Sequence, residues 1–307
     1  MRRLPPLNSL KTFEAAARLG STVKAADELC VSHGAISKQL AVLETWLGVS
    51  LFQRTSKGLT LTKAGGELVR VVEPAFDWIA AAANRITSER SERKLIVSAP
   101  PTVTLRWLVP RLTSFLSNNP SIRIQLNNRR SLEDGLPAGV DITIARGGLA
   151  GRDFQQTQFM AEALTPVCAP SLFESAAFTN IHDLSRVTWL VADMRPADWS
   201  DWIQFAGEPT LAPKSTLSFD HTYLALEAAR DGLGVAMGPV YLIQDGIAAE
   251  GLRPLFPNKV MPSDPYMLAF PKVLREDKAV MAFHDWLLAE GRAHEVCVRA
   301  ALSNVVT

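Results

Sequence analysis

The first fifty residues carry apolar side chains at steps of three and four, the spacing that places them on one face of a helix. Residues 7–19 follow this spacing and predict an amphipathic helix that ends at Gly20, because glycine readily closes a helix. A second, shorter helix is expected up to Leu29, with Ser21 or Thr22 as its N-cap. The chain therefore opens with two consecutive helices.

A third helix is predicted after a turn of three residues, with Ser32 as its N-cap. Its apolar residues recur at steps of four, three and four and share one buried face: Ile36, Leu40, Leu43 and Leu47. The opposite side carries small, hydroxyl and basic residues: His33, Gly34, Ser37, Lys38, Ala41 and Thr45. Two short helices joined by such a turn predict a helix-turn-helix whose second helix can enter a major groove.

Residues 51–62 contain two short strand-like runs around a Ser-Lys-Gly turn. This pattern predicts a wing, that is, a β-hairpin beside the helix-turn-helix. Arg54 and Lys57 lie near its tip, where they can approach phosphates or a minor groove. Contacts of this kind add affinity more than sequence discrimination.

A long helix is predicted from its N-cap, Thr62, toward Glu89, and Pro74 should bend it or weaken one turn. Its apolar stripe is close to the a/d seam of a coiled coil and comprises Leu68, Val72, Ala75, Ile79, Ala83 and Ile86. A helix with one apolar stripe and no second helix after it is a candidate for pairing with its copy in another chain. The stripe could instead pack on its own domain.

Residues 88–94 are polar and charged, and we interpret them as a hinge. Beyond them, strand-like and helix-like runs alternate. Strands are predicted at residues 95–98, 122–126, 140–144, 164–168, 189–191, 234–237 and 266–270, and helices at 105–116, 221–230 and around 286–288. The alternation predicts an α/β domain with largely parallel sheets, in which ligands bind outside the carboxyl ends of strands.

The charge of the chain is unevenly divided. Its 307 residues have a formal net charge of +1, which taken whole indicates no polyanionic partner. Residues 1–66, however, are net +5 and the remainder is net −4. This asymmetry suggests that the first part meets a polyanion and that the second has a different task. The length allows about two domains.

Three widely separated cysteines, Cys30, Cys168 and Cys297, make neither a disulfide framework nor a metal site and favour a reducing compartment. The amino terminus lacks the apolar core of a secretory signal, and no apolar run reaches the roughly 18 residues of a membrane span. We therefore expect a cytoplasmic protein with no membrane partner.

The span of residues 7–66 resembles the DNA-binding region of LysR-type transcriptional regulators. The resemblance is carried by spaced elements that include Val31-Ser32, Ala35-Ile36-Ser37, Leu43-Glu44, Leu51-Phe52-Gln53-Arg54 and Leu59-Thr60-Leu61-Thr62. The rest of the chain is similar, more loosely, to the subgroup of the glycine-cleavage activator and AmpR-like regulators, through residues 107–112, 140–142 and 226–236.

This resemblance implies a fold of three parts. They are a winged helix-turn-helix at 1–62, a dimerising linker helix and hinge at 63–92, and an effector-binding regulatory domain at 93–307. The regulatory domain is expected to fold like periplasmic binding proteins, as two α/β subdomains with the effector between them. Subdomain I would span about 93–165 and 268–307, and subdomain II about 166–267.

The resemblance also implies the partners. Family members usually act as tetramers, bind upstream of a target promoter and change their DNA contacts when the effector binds. The expected partners are thus double-stranded promoter DNA, a small-molecule effector, further copies of this chain and RNA polymerase. No cofactor and no metal are expected.

Matching positions identify candidate site residues. In the DNA-binding part, besides Arg54 and Lys57 of the wing, they are Thr22, Lys24, Ser32, His33, Ser37 and Lys38. His33 replaces the Gln or Pro that is more usual there, so base preference does not carry over. The candidate effector contacts are Thr102, Thr104, His221, Thr222 and Tyr266. Their hydroxyls and the helix starts favour a small polar effector such as an amino acid or another carboxylate.

Arg146 has no assigned role, because relatives often place an arginine directly after the isoleucine at position 144, whereas here Ala145 intervenes.

Two other classes of protein were weighed. An enzyme is disfavoured because the glycine-rich run at 232–238 precedes a strand instead of following one, no histidines have zinc spacing, and no Gly-x-Ser-x-Gly elbow occurs. A solute-binding protein or an enzyme with the periplasmic-binding fold and no role in transcription is the alternative. The helix-turn-helix argues against both, and the sequence predicts a DNA-binding transcriptional regulator without catalytic residues.

Overall fold

A computed structural model describes residues 3–55, 58–87, 93–128, 139–149, 151, 153–243 and 251–305. The chain divides into two compact units, residues 1–90 and residues 91–307. None of the helices in the described ranges is long and apolar enough to cross a lipid bilayer.

The first unit combines three packed helices with a β-hairpin and one long helix. Its elements are α1 (Leu7–Leu19), α2 (Thr22–Leu29), α3 (His33–Leu47), β1 (Phe52–Thr55), β2 (Gly58–Leu61) and α4 (Lys63–Thr87). The strands β1 and β2 pair antiparallel. The predicted helix-turn-helix, wing and long helix are therefore confirmed.

Local side chains determine where these helices begin and end. Gly20 closes α1 in the left-handed conformation, with a φ of +59°. Ser21 rather than Thr22 caps α2, because the Ser21 hydroxyl accepts a hydrogen bond from the Lys24 N–H at 3.3 Å. Ser32 caps α3 in the same way. Each cap satisfies a backbone donor that the first helical turn leaves unpaired.

The wing joins the core of the first unit at one crowded point. The core is built around Phe13, Ile36 and Leu43, and Leu51 just before β1 is buried with them. Gly65 in the first turn of α4 lies so close to Leu51 that a Cβ would stand 2.1 Å from the Leu51 carbonyl oxygen. This contact requires glycine and fixes the start of α4 against the wing.

The apolar stripe of α4 divides between two environments. Leu68 and Val72 pack on the core of the first unit, so over this half the stripe serves its own domain. Ala75 and Ile79 of the stripe, in contrast, are exposed, Ile79 by 63%, and the neighbouring Val71, outside the predicted stripe, is 67% exposed. The helix therefore leaves an apolar strip in solvent.

Pro74 lies inside α4, which continues past it to Thr87. Lys57 at the wing tip, the side chains of Arg54 and Ile86, and residues 88–92 of the predicted hinge lie outside the described residues.

The second unit is a mixed α/β fold. Its strands are β3 (Arg93–Ala99), β4 (Ile122–Asn128), β5 (Ile142–Arg146), β6 (Phe154–Cys168), β7 (Thr188–Ala192), β8 (Ser215–Phe219), β9 (Val235–Pro239), β10 (Arg253–Pro254) and β11 (Met261–Pro271). Its α-helices are α5 (Pro101–Val103), α6 (Val109–Asn118), α7 (Pro170–Ala176), α8 (Asp198–Ala206), α9 (Thr222–Arg230), α10 (Val240–Ile243) and α11 (Lys278–Val305). A π-helical stretch, Thr104–Leu108, connects α5 to α6.

The strands of the second unit form one sheet in the order β4-β3-β5-β11-β6-β9-β7-β8, with β10 beside β6. Parallel pairs lie at its two ends, where β3 joins β4 and β5, and β7 joins β8 and β9. The centre is antiparallel because β6 and β11 carry the chain from one half to the other and back. The expected largely parallel sheet is thus correct for each half and wrong for the centre.

Several boundaries differ from the sequence prediction. The helix expected at 105–116 already begins at α5, and the strand expected at 164–168 is only the last third of β6. Arg93 and Lys94, assigned to the hinge, are the first residues of β3. They fit there because the Arg93 guanidinium lies 3.0 Å from both the Asp141 and the Asp277 carboxylates, so its charge is satisfied within the fold.

The strand registers place the carboxyl ends of the two halves opposite each other. β5 ends at Arg146, which is paired with Tyr266 of β11. β9 approaches from the other side and ends at Pro239, which is paired with Leu164 of β6. Since β5 and β9 run in opposite directions, their ends meet over the middle of β6 and β11. Ligand sites in α/β folds lie outside such strand ends.

Candidate functional site

The exposed face of α3 carries the side chains predicted to contact DNA. His33, Ser37 and Lys38 are exposed, while Ile36 and Leu40 on the opposite face are buried in the core. A major groove admits one α-helix, and hydroxyl, imidazole and ammonium groups are suited to base edges and phosphates. This face of α3 can therefore act as a recognition surface.

The turn between α2 and α3 is fixed by polar side chains. The Thr22 Oγ1 and His33 Nε2 atoms are 2.8 Å apart, which links the two helices by a hydrogen bond. The Ser32 hydroxyl accepts from the Ala35 N–H at 3.3 Å and keeps its own proton for another acceptor. Thr22, Ser32 and His33 are thus brought together, and the imidazole can meet DNA only through Nδ1 or the ring edge.

Basic groups of the first unit differ in their availability. Arg18 donates to Glu14 at 2.7 Å and to Glu28 at 2.6 Å, and these hydrogen bonds raise the pKa of the Arg18 guanidinium. Its charge is therefore balanced within the module. The side chains of Lys24 and Lys38 are exposed, which makes them the better candidates for phosphate contacts.

In the second unit, the predicted effector contacts follow the ends of strands. Thr102 in α5 and Thr104 in the π-helical stretch come after β3, and both are buried. His221 and Thr222 come after β8 at the start of α9, which contacts α5. The Thr104 hydroxyl oxygen is buried and has no hydrogen-bond partner in the part of the chain that the structure describes.

An ion pair links the two sides of this region. The Arg106 Nη2 atom, in the π-helical stretch, lies 2.9 Å from the Glu227 Oε1 atom of α9, and the Arg106 side chain is only 6% exposed. His221 occupies the N-cap position of α9 without capping it through its side chain, and its ring stacks on Tyr223. The backbone N–H groups at the start of α9 are thus not taken by the His221 side chain.

The predicted contact Tyr266 lies in the middle of β11, fully buried beside Glu162 of β6. The Glu162 Oε1 atom accepts from the Ala163 N–H at 2.8 Å, and the carboxyl group also interacts with the Tyr266 hydroxyl. Burial raises the pKa of the Glu162 carboxyl to about 7, although the positive charge of Arg195 opposes this shift. Burial and the neighbouring Glu162 raise the pKa of the Tyr266 hydroxyl well above its ordinary value.

Arg195, after the end of β7, connects this buried pair to a chain of charged groups. Its Nε atom is 2.6 Å from the Asp198 Oδ2 atom, and the other Asp198 oxygen is 3.6 Å from the Arg146 Nη1 atom. Arg146 also donates to the Ser263 hydroxyl at 3.0 Å. Arg146, for which the sequence offered no role, thus lies in the same polar cluster as Arg195 and Asp198.

A cavity of about 300 Å³ opens beside this cluster. The groups that line it come from the end of β5, the loop after β7, α8 and β11; among them are Arg146, Arg195, Asp198, Asp201, Ser263 and Asp264. No group of three or more side chains suited to holding a metal ion occurs in the ranges that the structure describes.

Sequence reasoning missed Glu162, Arg195, Asp198 and Ser263. A usable signal existed for two of them, because Arg195 and Asp198 follow the predicted strand at 189–191, and carboxyl ends of strands are where ligand groups collect. Glu162 and Ser263 gave no comparable signal, since each lies within a long crossing strand whose role depends on its distant partner.

Glu162→Gln tests how much stability the protein loses when the buried Glu162 carboxyl ionises. Because the pKa in the folded protein is about 7, well above the ordinary 4.5, the stability that the neutral carboxyl provides is lost as the pH rises through 7. Glutamine keeps the oxygen that accepts from Ala163. We expect its stability advantage over the wild type to be about 2–3 kcal/mol larger at pH 8 than at pH 5.

Urea unfolding at both pH values measures this difference. Glu174→Gln, an exposed glutamate of α7, is the matched control and should show no such change between the two pH values. An equal effect of Glu162→Gln at pH 5 and pH 8 would contradict the raised pKa.

Two family models match the chain. Residues 7–66 match the bacterial regulatory helix-turn-helix proteins of the lysR family. Residues 88–292 match the LysR substrate binding domain. The first match covers the helix-turn-helix, the wing and the first turn of α4, and the second covers most of the second unit.

Three proteins illustrate the similarity. The HTH-type transcriptional activator AmpR of Pseudomonas aeruginosa is 37% identical over 92% of this chain and 95% of its own. The glycine cleavage system transcriptional activator of Escherichia coli K12 is 32% identical over 96% of each chain. The X-ray structure of the effector domain of AmpR from Pseudomonas aeruginosa, at 32% identity, covers 68% of this chain and 99% of its own with a TM-score of 0.56.

Both family models and the long matches to known regulators lead to one assignment. The protein belongs to the LysR family of bacterial transcriptional regulators, which bind promoter DNA and a small-molecule effector and are not enzymes.

Proposed function

We propose that this regulator controls a promoter in response to a small polar effector, such as an amino acid or another carboxylate, bound between two α/β subdomains. One observation carries the proposal: the strand ends of both halves of the second unit converge on a buried cluster of polar and charged groups. Polar groups at such a convergence favour a polar ligand over an apolar one.

The crossing strands would join the two subdomains. The first would span about 93–165 and 268–307, and the second about 166–267. In support, β5 pairs with residues 266–269 of β11 and β9 pairs with residues 164–167 of β6. Each half thus attaches to one of the two long strands, which also pair with each other, and this arrangement favours a boundary inside each of them.

The effector would contact Thr102, Thr104, His221, Thr222 and Tyr266. Thr222 is the first residue of α9, where free backbone N–H groups can hold a carboxylate. Within the described ranges, the Thr104 hydroxyl has no hydrogen-bond partner. A hydrogen bond from an effector would satisfy it.

Thr104→Val should weaken effector binding without destabilising the fold. Valine keeps the shape of threonine, and no internal hydrogen bond is lost. Loss of one hydrogen bond should raise the effector concentration needed for half-maximal thermal stabilisation about five- to tenfold. The screen uses the intact chain with amino acids, small carboxylates and, for comparison, apolar compounds.

Thr143→Val is the matched control, because the Thr143 hydroxyl is also buried without a partner among the described residues but lies inside β5 and outside the candidate contacts. The effector concentration that it needs for half-maximal thermal stabilisation should equal that of the wild type. Hits confined to apolar compounds, or identical behaviour of the two variants, would argue against the proposed contacts.

The first unit would bind the promoter with α3 in the major groove and the wing beside it. Thr22, Lys24, Ser32, His33, Ser37, Lys38, Arg54 and Lys57 are the proposed contacts. Because the two curated relatives described above are activators, we infer activation here as well, with contact to RNA polymerase at the promoter and a cytoplasmic location.

Lys38→Ala should weaken binding to DNA from the region upstream of its own gene. If Lys38 neutralises a phosphate, the slope of log K against log salt concentration should shrink by about 1. Fluorescence anisotropy at several salt concentrations measures this slope. Lys214→Ala removes the same charge from an exposed position of the second unit and should leave it unchanged. An unaltered slope for Lys38→Ala would remove Lys38 from the interface.

The chain would pair with its copy through α4, and pairs would assemble into tetramers. The exposed strip of Val71, Ala75 and Ile79 supports this proposal, because its members recur at steps of four residues along one helix face. A module of net charge +5 binds DNA weakly alone, so a second copy would add affinity.

Ile79→Glu should lower the oligomeric state in sedimentation velocity, because it places a charge in the proposed seam. Binding to DNA with two half-sites should fall more than binding to a single half-site. Val296→Glu, at an equally exposed position of α11, is the control and should sediment as the wild type does. An unchanged sedimentation coefficient for Ile79→Glu would show that another surface forms the pair.

A further inference from the structure

We propose that the cavity beside Arg195 selects a zwitterion, a small molecule of amino-acid to dipeptide size, with its carboxylate toward Arg195 and Arg146 and its ammonium toward Asp201 and Asp264. This inference rests on the proposed function, since it names the ligand class for a cavity between the same two halves of the second unit. It adds two requirements, namely that both charges of the ligand are recognised and that these four side chains recognise them.

The inner end of the cavity has an unsatisfied cationic donor. The Arg195 side chain is 12% exposed and lines the cavity. Its Nη2 atom is buried and has no hydrogen-bond partner among the residues that the structure describes, and its Nε atom is close to Asp198 without hydrogen-bond geometry. A buried guanidinium donor without an acceptor is costly. A ligand carboxylate is the acceptor that matches a guanidinium best, because two parallel bonds can form.

The three groups at this end carry an excess of positive charge. Asp198 lies between Arg195 and Arg146, at 2.6 and 3.6 Å, so one carboxylate faces two guanidinium groups. Glu162 adds less than a full negative charge near neutral pH, because burial raises its pKa to about 7. Arg146 uses one of its N–H donors in the hydrogen bond to the Ser263 hydroxyl. An incoming carboxylate would therefore balance the cluster.

The rim of the same cavity is acidic. Asp201 on α8 and Asp264 on β11 line it, and both are exposed. Neither carboxylate forms an ion pair with another of the residues that the structure describes. The Asp264 carboxylate lies over Gly147, next to Arg146, where a Cβ on Gly147 would be only 3.6 Å from it. The two carboxylates at the mouth would attract a cationic group and repel an anionic one.

Together the two ends form a fixed charge gradient from cation to anion along a cavity of about 300 Å³. A dianion would bring its second charge against the acidic rim, and a simple cation would leave Arg195 unpaired. A neutral polar molecule would satisfy neither end fully. Only a ligand with a carboxylate and an ammonium on one short skeleton complements both.

Isothermal titration calorimetry with the full chain tests this selection. The probes are the free α-amino acids, glycylglycine and alanylalanine, each compared with its N-acetyl derivative and its C-terminal amide. At least one free compound should bind. Its N-acetyl derivative, which lacks the ammonium, and its amide, which lacks the carboxylate, should each bind at least about tenfold more weakly.

Asp264→Asn locates the ammonium contact. It should weaken binding of the free compound several-fold and leave the affinity of the N-acetyl derivative unchanged, because that derivative has no cation to lose. The substitution is at the surface and should not affect folding. Asp231→Asn, an exposed aspartate at the end of α9 outside the cavity, is the control and should change neither affinity.

The possible failures are distinct. If no probe binds, or if acetylation or Asp264→Asn has no selective effect, the zwitterion assignment is overturned. An effector cleft sensitive to Thr104→Val would then still stand. If a free compound binds with the expected selectivity but does not change promoter binding, the subsite is supported and the proposed regulatory function fails instead.

Discussion

The antiparallel pairing of β6 with β11 is the constraint on which the second unit depends. β11 pairs with β5 of the half built on β3, β4 and β5, and β6 pairs with β9 of the half built on β7, β8 and β9, so the pairing of β6 with β11 joins the two halves. Their pairing is irregular between Ser263 and Met267, and irregular pairing of this kind re-aims side chains. Tyr266 lies within this irregular segment beside Glu162. The position of the buried polar cluster therefore follows from the crossing itself.

The first unit could be predicted almost to the residue, and the reason is physical. The bounds of α1 and the caps at Gly20 and Ser32 depend on interactions within a few residues, so the sequence contains them. The sheet of the second unit could be predicted only where strands are buried and apolar. β8 was missed because four of its five residues are exposed, and the first half of β6 was missed because exposed polar residues interrupt it. Pairing with distant strands stabilises both, and no local pattern records that pairing.

The residues of the candidate site divide in the same way into those that the sequence could identify and those that it could not. Thr102, His221 and Tyr266 were identified because the resemblance marked their positions. Arg195 and Asp198 lie three residues apart after a strand. Their local sequence is typical of a polar loop and the start of a helix. Their burial depends on the assembled strands and cannot be inferred from the local sequence. A charge buried in this way is costly unless paired, so the pairing of Arg195 with Asp198 and its proximity to Glu162 are what make the cluster tolerable.

The two sides of the cleft are not equivalent as routes for a ligand. On the side of α5 and α9, the ion pair between Arg106 and Glu227 joins both walls, and the Arg106 side chain is almost entirely buried. Breaking such a pair separates a nearly buried guanidinium from its carboxylate, which lowers the stability of the fold. On the side of Arg195 and Asp264 the walls line a cavity of about 300 Å³, and entry there leaves the ion pair between Arg106 and Glu227 intact. A ligand that enters by this route meets the acidic rim first and the guanidinium groups afterwards, so the amine of the proposed zwitterion would remain at the mouth while its carboxylate reaches the crossing strands.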